Sequence, residues 1–230
     1  MAKPKKGKTR SDKRIITSEF NIFDVINFDD DYELRLISFC LAYNDLWHIN
    51  KEMLARSSKK YASYRLYLLK NSVAQLREAY WLLHRSFLCD IKMSEKLRNI
   101  EGAYPLFENI LKIVDGPDKD SFAFKVLAES RNLTWHYSFE TNDKNSLKQV
   151  AKEMSVNNVL GKIVIGERFT NTYFEFADRL FTNMIVTLGA EYGLSQEEYF
   201  EKIIDLMEKV IELLYLIISD FLTCNLDIGW

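Results

Sequence analysis

Two stretches of this chain carry large apolar residues at alternating steps of three and four, and that spacing fixes the fold class. Leu66, Leu69, Val73, Leu76, Tyr80, Leu83 and Phe87 form one seam, and Tyr199, Ile203, Leu206, Val210, Leu213, Ile217, Phe221 and Cys224 form the other. On an α-helix such positions lie on one face, as two long helices packed at a shallow angle require. Eight Gly and three Pro among 230 residues leave too little punctuation for the many tight turns of an all-β fold. The chain is expected to be all-α, a bundle of long antiparallel helices with extra short ones.

The remaining segments fit that frame. Asp29, Asp30 and Asp31 place negative charge ahead of a helix over 32–55, whose apolar face is predicted to be Leu34, Ile37, Leu41 and Leu46. This acidic run lacks the Gly and distal Glu of a calcium loop, so it reads as a helix start. Residues 93–114 predict a third helix with Leu97, Ile100, Tyr104, Phe107, Leu111 and Val114 inward, broken near Gly102 to Pro105. Asp115-Gly116-Pro117-Asp118 is a turn. A fourth helical segment spans 119–137. A polar stretch over 138–145, a short helix over 147–154, an extended piece over 159–165 and a helix over 169–188 follow. Ser195 and Glu198 form a capping box for the last helix.

Residues 15–230 are expected to form a single helical domain, entered through an apolar lead-in over 15–28. Residues 1–14 carry seven cations against Asp12, for a local charge of +6, so the body sums to −8. Such an arm is read as a flexible, disordered basic tail able to neutralise phosphates without reading sequence. Cys40, Cys89 and Cys224 are far apart and form no CxxC pair, which argues against a disulfide framework or a cysteine-rich zinc site. The most apolar run, Leu213 to Ile218, falls well short of the ~20 residues that cross a bilayer. No secretory signal is recognisable, and a cytoplasmic location is expected.

Chemistry concentrates between Ser130 and Tyr137, which reads Ser-Arg-Asn-Leu-Thr-Trp-His-Tyr. Arg131 offers a permanent, bidentate phosphate ligand. His136, with an ordinary pKa of ~6.5, can exchange a proton with a ribose oxygen at neutral pH. Asn132 and His136 share a helical face, whereas Arg131 and His136 diverge by roughly 140° on a regular helix. Helix termination near Thr134, or a second subunit, would bring both to one phosphate. A separate face of the preceding long helix carries Arg77, Glu78, Trp81, His84 and Arg85, read either as a solvated face with an ion pair or two or as a site wall.

Arg131-Asn132-Leu133-Thr134-Trp135-His136, followed by Tyr137, resembles the Arg-polar-x-x-x-His signature of HEPN proteins, the higher eukaryote and prokaryote nucleotide-binding superfamily. The resemblance implies a HEPN-like helical bundle, commonly a homodimer with two motifs facing one cleft. It also implies metal-independent ribonuclease activity in toxin–antitoxin or anti-phage defence systems, with RNA as substrate and an antitoxin such as a small nucleotidyltransferase as a possible partner. Carried over by position, Arg131 would bind the scissile phosphate and His136 would transfer protons. Asn132 would orient these groups or the RNA, and Tyr137 would stack or position. Neither cofactor nor metal is implied. Three readings follow from the sequence: an endoribonuclease leaving 2′,3′-cyclic phosphate ends, a non-catalytic module binding RNA, a nucleotide or a protein, and a bundle scaffold in which the Arg and His are structural.

Overall fold

The computed structural model describes residues 26–27, 29–55, 62–135, 182–183 and 186–226, and every regular element among them is helical. Asp31–Ala55 forms α1, Ala62–Phe87 α2, Ile91–Asn99 α3 and Ala103–Ile113 α4. A π-helical turn, Ala123–Leu127, runs directly into α5, Ala128–Trp135, and Gln196–Leu226 forms the long α6. The basic tail, the apolar lead-in over 15–25 and the segments expected between 138 and 181 lie outside the described residues.

α2 is the centre of the bundle, because α1, α3, α5, the π turn and α6 all pack on it. Its predicted seam is the one observed. Leu69, Val73, Leu76, Tyr80, Leu83 and Phe87 are buried, and Leu66 at the seam's start is half-buried. The α6 seam is buried from Tyr199 to Phe221, but Cys224 is exposed, so the seam ends one turn earlier than its spacing predicts.

The apolar face of α1 differs from the expected one. Leu36, Phe39 and Leu46 are buried, whereas Leu34 and Leu41 are 38% and 61% exposed. This helix has apolar residues on more than one face, so its spacing alone does not select the inward one. Aromatic complementarity does: Phe39 stacks on Phe87 of α2 at 5.8 Å, and Tyr43 lies 6.4 Å from Tyr215 of α6. Asp30 starts α1 as a cap, its Oδ1 accepting hydrogen bonds from the backbone N–H groups of Tyr32 (2.7 Å) and Glu33 (3.2 Å).

The predicted break in the third helix is present and separates α3 from α4. Gly102 adopts φ 77°, a left-handed conformation that a Cβ would disfavour. Pro105 therefore sits in the first turn of α4, where a missing N–H leaves no intrahelical bond unmade. α4 ends in a Schellman-type stop, with the Gly116 N–H donating to Leu111 O at 2.8 Å. The predicted capping box of α6 is formed reciprocally: the Ser195 N–H donates to Glu198 Oε2 at 2.8 Å and the Glu198 N–H to Ser195 Oγ at 3.2 Å.

The turn after α4 ties the site-bearing segment to the core. Asp115 Oδ2 accepts hydrogen bonds from Lys202 Nζ of α6 (2.6 Å) and from the Tyr192 hydroxyl (3.0 Å). Partial burial and the adjacent Asp115 carboxylate push the Tyr192 hydroxyl up to about 12. Beneath them Phe122 is buried, with Tyr192 and Tyr199 at 5.8 and 6.0 Å, so the chain entering α5 starts from a fixed point. Gly189 allows the helical stretch over 186–191 to approach α6, since a Cβ there would stand 2.7 Å from the Tyr199 ring.

Truncation separates the two faces of α1. Leu36→Ala is expected to cost ~2–5 kcal/mol in chemical denaturation, and Leu41→Ala less than ~0.5 kcal/mol. The reverse order would restore the stripe predicted from spacing.

Candidate functional site

The π turn sets the phase of α5. Its closing bond runs from the Ala128 N–H to Ala123 O, five residues back, which inserts one extra residue relative to an α-helical turn. Ala123, Val126 and Leu127 remain in the core, while Phe124 meets α2 edge-on, 5.4 Å from the Trp81 ring and 5.6 Å from His84. One turn on, Ser130 is buried against Tyr199, whose hydroxyl is raised chiefly by burial, an effect the Ser130 hydroxyl partly offsets.

With Ser130 facing inward, Arg131 turns toward the polar face of α2. Its Nε lies 3.1 Å from Glu78 Oε1, and the same oxygen accepts a hydrogen bond from Arg77 Nη1 at 2.9 Å. One carboxylate therefore holds two guanidinium groups. The side chains of Arg77, Glu78 and Arg131 are 26%, 47% and 34% exposed, so solvent screens the network and its contribution is modest. The contact to Arg131 uses Nε. Among the described residues nothing occupies the end-on Nη1/Nη2 fork, the edge that can accept two oxygens of a phosphate.

Beside this network stands an aromatic cluster. The guanidinium carbons of Arg77 and Arg85, one turn to either side, lie 5.2 and 4.9 Å from the Trp81 ring centroid. His84 is parallel to Trp81 within 8° at 5.7 Å, and Cys89 Sγ is 3.8 Å from His84 Nδ1. The face read from sequence as solvated or as a site wall is thus a contiguous layer of rings and cations against which α5 packs. Sequence reading did not anticipate Phe124 in this layer or the Glu78–Arg131 pair. Neither leaves a periodic signal, since the first depends on a π turn and the second joins residues 53 positions apart.

α5 is helical through Trp135, one residue beyond the point at which termination would bring Arg131 and His136 together. Asn132 follows Arg131 in the same helix. His136 and Tyr137 lie outside the described residues. Among the described residues no group of three or more His, Cys, Asp or Glu side chains is placed to hold a metal ion, and no helix is long and apolar enough to cross a membrane. No protein-family model matches the chain, and no curated protein or solved structure matches it.

The Glu78–Arg131 pair can be weighed by a double-mutant cycle. Combining Glu78→Gln with Arg131→Gln in thermal and chemical unfolding is expected to give a coupling below ~1 kcal/mol, as for other solvent-screened pairs. A coupling of ~3 kcal/mol or more would identify the pair as a structural element of the bundle.

Proposed function

We propose that the chain is a metal-independent endoribonuclease of the HEPN type, acting through Arg131 and His136. The carrying observation is the placement of Arg131: it projects from α5 toward the polar face of α2, meets Glu78 through Nε, and keeps its side chain 34% exposed. An arginine with one defined contact and a partly exposed side chain is suited to hold a phosphate. The motif that follows supplies an amide, Asn132, and a titratable imidazole, His136.

The chemistry requires no enzyme nucleophile. An RNA strand brings its own in the ribose 2′-OH. His136 takes the 2′-OH proton as the 2′-oxygen attacks phosphorus. The bond from phosphorus to the 5′-oxygen breaks, and that oxygen leaves with a proton from an imidazolium or from water. Arg131 stabilises the charge that accumulates on the non-bridging oxygens. The products are a 2′,3′-cyclic phosphate and a 5′-hydroxyl. Tyr137 stacks on or positions the RNA. In this reading the protein acts as a homodimer, the two motifs sharing a cleft, and serves as a toxin or anti-phage defence effector. A small nucleotidyltransferase is the candidate antitoxin.

The ring-and-cation layer around Trp81 supports a second reading, a non-catalytic module that binds RNA or a nucleotide. Stacking and charge pairing on that layer need no proton transfer.

Cleavage of a labelled RNA in the presence of chelator separates the two. Wild type is expected to cleave, and His136→Ala and Arg131→Ala are each expected to lose at least ~10²-fold in rate with unchanged circular dichroism. Equal cleavage by all three proteins would remove both residues from catalysis, and failure of all three to cleave while RNA is bound would favour the second reading.

A further inference from the structure

α2 carries more recognition chemistry than phosphate binding by Arg131 requires. Trp81 is half-buried, and the surrounding rings and guanidinium groups fix where its ring lies. Arg77 and Arg85 flank it, His84 lies parallel to it, and Phe124 closes one edge. Arg77, Arg85 and Arg131 bring three guanidinium groups to this region, and Glu78 pairs with two of them, Arg77 and Arg131. Arg85 is exposed, and among the described residues no carboxylate pairs with it. Among the described residues, this cluster therefore carries more cations than carboxylates on a chain whose formal net charge is −2.

An aromatic ring flanked by guanidinium groups is the chemistry that single strands engage, because an unpaired base offers its ring face for stacking while its phosphates meet nearby cations. A duplex hides those faces. An acidic peptide would satisfy the cations yet gain nothing from the ring. Arg77 and Arg85 reach the Trp81 ring from one turn to either side, and Arg131 adjoins the Arg77 end through Glu78. A strand following these residues is led to Arg131.

We propose that the Trp81 face of α2 is a subsite for single-stranded RNA, in which a base stacks on the Trp81–Arg85 layer and the flanking phosphates meet Arg77 and Arg85. The identity of the nucleic acid as RNA rests on the ribonuclease reading, whereas the stacking layer itself is independent of His136. The subsite fixes the strand beside the scissile phosphate, so Trp81 and Arg85 act in binding and not in proton transfer.

The test measures fluorescence anisotropy of a labelled single-stranded RNA dodecamer with the full-length His136→Ala protein, alongside the matched RNA duplex. Trp81→Leu is expected to weaken single-strand binding about tenfold, within the range of a lost base–aromatic stack, while Trp81→Phe recovers most of it. Arg85→Gln, at an exposed position that leaves the fold intact, is expected to weaken binding several-fold and to lower the salt slope by about 0.7. Lys209→Gln on α6, a cation paired with Glu212, serves as the charge-matched control and should bind like the parent.

Absence of RNA binding by the parent overturns the subsite. So does binding indifferent to Trp81→Leu and Arg85→Gln, or displacement of the RNA by polyglutamate as effectively as by unlabelled RNA. The cleavage assay judges the ribonuclease reading separately. Binding that depends on Trp81 and Arg85 in a wild-type protein that does not cleave would uphold the subsite and refute the ribonuclease.

Discussion

Burial of the α2 seam is the interaction on which the rest of the described structure depends. Val73, Leu76 and Leu83 are fully buried, and each such side chain contributes on the order of 1.5–3 kcal/mol on removal from water. Because α1, α5 and α6 all close on this one helix, its rotation about its own axis is fixed. With the apolar face inward, Arg77, Glu78, Trp81, His84 and Arg85 have no freedom to choose another direction. The core therefore orients the polar face of α2 as firmly as it orients the seam.

Charge balance on that face carries the functional argument. Glu78 lies between Arg77 and Arg131 and prevents two guanidinium groups from simply repelling each other. Its carboxylate is close to half-exposed, so the pair is weak enough for a phosphate to compete or to join it. A buried pair would resist that exchange, since breaking it would strand a charge in low dielectric. Partial exposure thus gives Arg131 a defined partner and a low cost of exchanging it.

The parts of this arrangement legible in the sequence are those fixed by local chemistry. The Ser195–Glu198 capping box and the Gly102 break rest on residues within a turn of one another, and the α2 and α6 seams on a spacing repeated from turn to turn. Leu41 was misplaced because α1 carries apolar residues on competing faces, and only partners distant in sequence, Phe87 and Tyr215, decide between them. The π turn was illegible for a different reason. Ala-Phe-Lys-Val-Leu suits an α-helix equally well, and the extra residue is set by how Phe122 and Phe124 pack against α6 and α2. At the candidate site, the Glu78–Arg131 pair was not legible, since a pairing between helices follows from the fold and from no spacing rule.

In the proposed reading, Arg131 holds a phosphate while the RNA attacks itself. The termini of RNA cleaved by the full-length protein in chelator test this most directly, read by mass spectrometry. The account predicts 2′,3′-cyclic phosphate and 5′-hydroxyl ends, formed without added metal. Ends bearing 3′-hydroxyl and 5′-phosphate, which require an external water or hydroxide as nucleophile, would contradict it.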